Sequence, residues 1–158
     1  MNIAVTGAGS GIGRSIAKVL AERGYCLILL GRNLDNLQST KVLLKNSEQH
    51  QCQTCNIRNS AEIKRSLENV PSLYGLIANA GIGGENQFGD QDRWGEIIDT
   101  NLTGTYQTIQ ACLPLIKKDR APFKKIIIIS SILASLGVPG YSAYCASKAG
   151  LLGLTRSL

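Results

Sequence analysis

The sequence predicts an α/β protein: a doubly wound parallel sheet with helices on both faces, in a single domain spanning 1–158. Three observations predict it. Short apolar runs alternate with longer segments of helical period along all 158 residues, which is the pattern of strand–helix–strand units. The run Leu27-Ile28-Leu29-Leu30 is apolar at every position, as a parallel strand covered on both faces must be. A glycine-rich segment over 7–13 separates the first apolar run from the first helical one.

The elements follow in order. Ile3-Ala4-Val5 reads as a buried strand that ends at Thr6-Gly7. Ile12, Ile16, Val19 and Leu20 then fall on one helical face, and Gly24 stands where a helix C-cap is expected. The second strand is Leu27-Ile28-Leu29-Leu30, followed by a helix over 34–45. A weaker third strand over 51–55 and a helix over 60–68 lead to Leu76-Ile77-Ala78, the fourth strand. A long helix over 101–118 is expected to bend at Pro114. The fifth strand covers 126–129, and a last helix runs from about 142 to the final residue. No linker or low-complexity stretch divides the chain.

Composition excludes several classes. Hydrophobic residues make up 44% and charged residues 18%, the proportions of an ordinary soluble globular protein. The net charge of +6 could suit nucleic acid, but the basic residues are scattered, and no nucleic-acid partner is expected. Cys26, Cys52, Cys55, Cys112 and Cys145 are odd in number and lie mostly in apolar surroundings, which suits reduced thiols and a cytoplasmic location. Cys52 and Cys55 have CxxC spacing, yet no second pair follows and His50 is the only histidine, so no metal site is expected. No apolar stretch approaches membrane-spanning length, and no basic-then-apolar leader opens the chain.

Between the first strand and first helix lies Thr6-Gly7-Ala8-Gly9-Ser10-Gly11-Ile12-Gly13. Glycines here let the backbone turn tightly and approach a pyrophosphate, and the helix N-terminus offers free N–H groups and a positive dipole end. The unit therefore reads as a dinucleotide-binding turn of the Rossmann type. Gly7, Gly11 and Gly13 are similar to the TGxxxGxG pattern of the short-chain dehydrogenases/reductases. Four further segments strengthen that resemblance: Asn79-Ala80-Gly81 resembles the family's NAG motif, Asn101 its active-site asparagine, Ser130-Ser131 its strand-end serine, and Tyr144 with Lys148 its YxxxK. The motifs occur in the family's order over the whole chain. Within the family, the likeness to 3-oxoacyl-carrier-protein reductases is a general one.

Tyr144 and Lys148 share a helical face at their spacing. Carbonyl reduction near neutrality needs an acid that ionises more readily than an ordinary phenol (pKa ~10), and an adjacent ammonium favours the phenolate. The resemblance implies an oxidoreductase that moves a hydride between NADP(H) and a carbonyl or secondary alcohol. It implies Tyr144 as general acid/base, Ser131 as hydrogen-bond donor to the substrate oxygen, Lys148 as the partner of both Tyr144 and the nicotinamide ribose, and Asn101 as the anchor of a water path behind Lys148. Ser130 is an alternative to Ser131, while Tyr141 has no lysine at the right spacing.

The residue after the second strand speaks to the cofactor. A carboxylate there would bind the ribose 2′-OH of NAD(H) and repel a 2′-phosphate; the chain instead reads Leu30-Gly31-Arg32-Asn33. Arg32 can pair with phosphate and stack on adenine, so NADP(H) is expected over NAD(H), with Arg14 in support. Ser10 stands where NADP-dependent members often carry a basic residue, and Asn56 where the family commonly has an adenine-binding aspartate. The expected cofactor site thus comprises Gly7, Ser10, Gly11, Ile12, Gly13, Arg32, Asn56, Asn79, Ala80, Gly81, Tyr144 and Lys148.

Relatives continue beyond the helix that carries Tyr144, so the last strands and the substrate cover are expected to be missing from this chain, or supplied by association. The resemblance also implies a homodimer or tetramer formed through the helix near Asn101 and the Tyr144 helix. Leu133, Leu136, Val138 and Tyr141 suggest an apolar wall beside Ser131, suited to a ketone or 3-oxoacyl thioester. A non-catalytic dinucleotide-binding module, or an inactive fragment, is the alternative reading.

Overall fold

A computed structural model describes residues 1–86 and 89–158. Five parallel strands form one sheet: β1 (Asn2–Thr6), β2 (Cys26–Gly31), β3 (Gln51–Thr54), β4 (Gly75–Ala78) and β5 (Lys125–Ile128), in the order β3-β2-β1-β4-β5. The helices are α1 (Gly11–Glu22), α2 (Leu34–Lys41), α3 (Ser60–Ser66), α4 (Trp94–Ile98), α5 (Gly104–Lys118) and α6 (Ser142–Ser157). Among the described residues no helix is long and apolar enough to cross a membrane.

Strand alternation divides the core in two. Ile3, Val5, Leu27, Leu29 and Ile77 point to one face, where they pack on Ala17 and Ala21 of α1 and Leu37 of α2. Ala4, Ile28, Leu30, Leu76 and Ala78 point to the other, against Ile63 of α3 and Ile109, Cys112 and Ile116 of α5. The central strands have side chains in both cores, which is why their sequences are apolar at consecutive positions. The chain leaves β1 in one direction to build β2 and β3, then crosses back to build β4 and β5. The topological switch point therefore lies between β1 and β4, and a ligand crevice opens beyond the C-terminal ends of those strands.

Several boundaries differ from expectation. α1 packs Ile16 and Leu20 of the expected stripe against the core but leaves Ile12 and Val19 61% and 49% exposed. It buries Gly13, Ala17 and Ala21 instead, because the helix lies so close to β1 that only small residues fit between. α2 ends at Lys41 rather than 45, and short hydrogen-bonded turns carry the chain to Asn46, whose φ of 55° marks the break. The helix expected over 101–118 begins earlier: α4 passes into a π turn (Asp99–Thr103) that runs directly into α5. Such a turn inserts one extra residue into the helical ladder and is invisible to 3.6-residue periodicity.

Buried His50 closes the sheet's far edge. Its Nδ1 accepts from the Leu27 N–H (3.1 Å), so its Nε2–H donates to the Lys45 carbonyl (2.9 Å). A side chain thereby supplies the bond that would otherwise be missing where β3 starts alongside β2.

Candidate active site

The glycine loop joins β1 to α1 at the switch point. Gly7 and Gly11 adopt φ values of 65° and 50°, the left-handed region that side chains disfavour. A Cβ at Gly13 would collide with the Gly7 carbonyl and come within 2.7 Å of Asn79 Nδ2. A Cβ at Gly11 would meet nothing within 4 Å, so that glycine borders open space. Ser10 precedes α1 in an extended conformation and makes no side-chain cap bond. The first N–H groups of α1 thus begin beside the crevice with no capping side chain of their own.

Thr6 and Asn79 strap this loop to the end of β4. Thr6 Oγ1 accepts from the backbone N–H groups of Asn79 and Ala80, each at 2.9 Å, and Asn79 Nδ2 donates to the Thr6 carbonyl at 3.0 Å. Arg14 has a role other than the expected support of phosphate. Its Nε donates to Thr40 Oγ1 (2.9 Å), and its terminal nitrogen donates to the Gly9 carbonyl, so the guanidinium braces the loop against α2.

A cavity of about 410 Å³ lies over these loops. Gly7, Ser10, Gly11, Ile12, Arg32, Asn56, Asn79, Ala80 and Gly81 all line it, while Gly13 packs beneath. Asn33, Asn36, Ile57 and Arg58 line it too, and sequence reasoning had not singled them out. Asn33 caps α2 by accepting from the Asn36 N–H at 2.9 Å, so the capping signal was legible in Asn-Leu-Asp-Asn. Two arginines, Arg32 and Arg58, are among the residues of the cavity wall, and the Arg58 guanidinium lies 4.0 Å from Asp99. Asn56 Oδ1 accepts from the Arg58 N–H (3.1 Å), and the Asn56 N–H donates to Glu62 (2.9 Å). The wall is thus built of glycine backbone, a helix N-terminus and cations, a donor set that fits a phosphorylated dinucleotide.

The chemistry residues stand beyond Gly81. Asn101, fully buried in the π turn, accepts from the Ile82 N–H through Oδ1 (2.8 Å). Its Nδ2 donates to the Ile82 carbonyl (2.9 Å) and to Ser147 Oγ (3.1 Å). Asn101 therefore clamps the segment after β4 and ties it to α6, where the resemblance had suggested a water anchor. Lys148 is 5% exposed; its Nζ donates to the Ile129 carbonyl (2.9 Å) and lies 5.7 Å from the centre of the Tyr144 ring. Burial pushes its pKa below the ordinary lysine value. A Cβ at Gly81 would stand 3.6 Å from that Nζ, and one at Gly83 would stand 3.9 Å from Tyr144 Cε2. Tyr144 and Lys148 thus border the backbone that continues from the cavity wall.

Ser131 follows β5, and its Oγ accepts from the Leu133 N–H (3.2 Å), starting a short 3₁₀ turn (Ile132–Ala134). Ser130 Oγ donates instead to the Lys148 carbonyl (2.9 Å), so it fastens α6 to the sheet. Leu133 and Leu136 line a shallow hollow against Cys145, Ala146 and Ala149, while Val138 is 39% exposed.

A doubly wound sheet, a glycine loop at its switch point and a Tyr–Lys helix against the segment that follows β4 define a dinucleotide-binding α/β protein. The profile of the short chain dehydrogenases matches residues 1–158, and the chain belongs to that family. It is 36% identical to the 3-oxoacyl-acyl-carrier-protein reductases FabG of Rickettsia felis and of Staphylococcus epidermidis strain RP62A. The alignments cover 98% and 97% of this chain but 63% and 65% of those proteins. The chain thus spans somewhat less than two thirds of the curated relatives it matches. Among solved structures, a short chain dehydrogenase from Shigella flexneri is 31% identical with a TM-score of 0.86, over 99% of this chain and 65% of that one. An actinorhodin polyketide ketoreductase solved with NADPH is 28% identical with a TM-score of 0.88, over 99% of this chain and 62% of that one.

Proposed function

We infer that the protein is an NADP(H)-dependent oxidoreductase that interconverts a carbonyl and a secondary alcohol. The observation that carries this reading is the Tyr144–Lys148 pair, which adjoins the glycine-lined cavity through Gly81 and Gly83. The 3-oxoacyl thioesters implied by the names of the FabG relatives are the first substrate class to try.

The residues of the cavity wall would hold the dinucleotide, whose nicotinamide would supply or accept the hydride. Gly7, Gly11 and Gly13 keep the backbone low enough for the pyrophosphate to approach the start of α1. Arg32 would pair with the 2′-phosphate through charge-assisted hydrogen bonds, and no carboxylate occurs after β2 until Asp35 to repel that phosphate. Tyr144 donates its phenolic proton to the carbonyl oxygen as the carbon is reduced, and takes it back in oxidation. Lys148 stabilises the negative charge that develops on the phenol oxygen and hydrogen-bonds the ribose. Ser131 orients the substrate oxygen. The enzyme is proposed to be cytoplasmic and to associate as a dimer or tetramer through α5 and α6.

Replacing Tyr144 by Phe tests the reading. The variant is expected to bind NADPH with unchanged affinity and to lose about 100-fold or more of the rate of carbonyl reduction. A variant that reduces a ketone or 3-oxoacyl thioester as fast as wild type would refute the assignment.

A further inference from the structure

Tyr144 stands in the first turn of α6, where a helix is weakest. The first N–H groups of a helix have no partner within it and depend on a cap. Tyr141, at the cap position of α6, supplies no side-chain bond. The cap comes from elsewhere. Asn86, 3% exposed and far away in sequence, accepts through Oδ1 from the Ala143 N–H (3.0 Å) and from Ser142 Oγ (3.1 Å). Its backbone N–H donates to the Gly140 carbonyl (2.8 Å), on the other side of the same helix start. Its Nδ2 donates to Asp92 Oδ1 (3.3 Å), and that oxygen also accepts from the Trp94 N–H at the start of α4 (3.0 Å).

Both side-chain polar atoms of Asn86 and its backbone N–H are therefore committed, and these bonds join three elements: the segment after the Asn79-Ala80-Gly81 motif, the start of α4 and the start of α6. The backbone of that same segment passes under Tyr144 at Gly83. We propose that Asn86 is a positioning residue for Tyr144: it caps α6 from outside the helix and so fixes the phenol relative to the loop that walls the cofactor cavity. Only an amide of this length does this. Aspartate keeps the acceptor but loses the donor and faces Asp92, and alanine loses both.

The inference rests on the reductase reading for its catalytic consequence, and the test separates the two. Four chains are compared: wild type, Asn86→Ala, Asn86→Asp, and Asn86→Asp combined with Asp92→Asn. The last exchanges carboxylate and amide: it restores the hydrogen bond between positions 86 and 92, now donated by position 92, and keeps an acceptor for the start of α6, while the Trp94 N–H loses the oxygen it shared with position 86. Amide exchange at Ala143 and Tyr144 is read by NMR, NADPH affinity by fluorescence, and turnover with acetoacetyl-CoA, with Tyr144→Phe as the inactive control.

Asn86→Ala is expected to speed exchange at Ala143 about tenfold relative to the β1 and β2 amides. It should lower kcat by about tenfold or more, with NADPH affinity within about twofold of wild type. The exchanged pair should recover most of both losses, and Asn86→Asp alone should not. Wild-type exchange at Ala143 in Asn86→Ala would overturn the proposal. So would faster exchange across the whole chain that the exchanged pair fails to rescue, since that is general destabilisation. If wild type and Tyr144→Phe turn over alike, the reductase reading fails, and the Ala143 exchange alone decides whether Asn86 holds α6.

Discussion

Lys148 holds its ammonium out of water and, among the described residues, donates only to the Ile129 carbonyl, a placement that burial makes unfavourable for the charged form. Between its lowered folded pKa and the unfolded lysine value near 10.5, the unfolded chain binds more protons than the folded one. The cost of keeping this cation in the fold is thus present below the folded pKa and is relieved as pH rises through that window. Two outcomes follow. Reduction rate should fall on the alkaline side at a pH below the ordinary lysine pKa, as Lys148 loses its charge. Lys148→Met should leave the melting temperature unchanged or raised while abolishing reduction, measured by thermal unfolding and NADPH oxidation. A melting temperature that drops sharply would show that the ammonium is a stabilising group rather than one kept for chemistry.

Cys112 titrates in the opposite sense. Burial pushes its thiol from 9.0 up to about 12, so from pH 9 upward the unfolded chain loses a proton that the fold retains, and stability declines. Cys55 is also buried and shifted upward. At pH 8 a thiol reagent should therefore leave Cys55 and Cys112 unmodified in the native protein and reach all five cysteines after unfolding. Peptide mapping of the labelled protein checks this, and native labelling of Cys112 would contradict it.

Among the elements, α1 and the start of α5 each carry a position where an added atom has nowhere to go. A methyl at Gly13 would collide with the Gly7 carbonyl, and one at Gly104 would come within 2.9 Å of the Ile57 carbonyl. Both obstacles are backbone. Gly13→Ala should destabilise the fold by roughly 1–3 kcal/mol and weaken NADPH binding by about tenfold or more through the displaced loop, as denaturant unfolding and titration will show. Gly104→Ala should destabilise to a similar degree, with its effect centred on α5 and the β3–α3 connection. His50→Ala strands the buried Leu27 N–H and should cost about 1–3 kcal/mol, without affecting the nucleotide site at the opposite end of the sheet.

The same elements show what the sequence could and could not reveal. Leu27-Ile28-Leu29-Leu30 announced a doubly covered strand because both its faces are buried. Ile12 and Val19 of the α1 stripe were misread as core-facing because periodicity rewards large apolar residues, whereas closeness to β1 selects Gly13, Ala17 and Ala21; Ile16 and Leu20 do pack against the core. α4 and the π turn were missed because Trp94–Ile98 is too short for a period and an inserted residue shifts its phase. Asn101 stood out as a candidate in the sequence, yet its grip on Ile82 depends on a pairing across the fold that no local pattern encodes. Arg14 looked available for phosphate because nothing local reveals that Thr40 and the Gly9 carbonyl occupy it. Tyr144 and Lys148 were legible together because a single helix sets their spacing.

At the scale of the whole molecule, the strand order places the glycine loop, the Asn79-Ala80-Gly81 segment, Arg32 and Arg58 around one crevice, and the Lys148 ammonium stands next to Gly81 of its wall. That convergence is the central claim, and cofactor binding tests it most directly. The decisive measurement is a fluorescence titration of this chain with NADPH and, separately, with NADH, repeated on Arg32→Ala. The account predicts that NADPH binds about tenfold or more tighter than NADH, and that Arg32→Ala removes most of the difference. Equal affinity for the two nucleotides, or a preference for NADH, would contradict it.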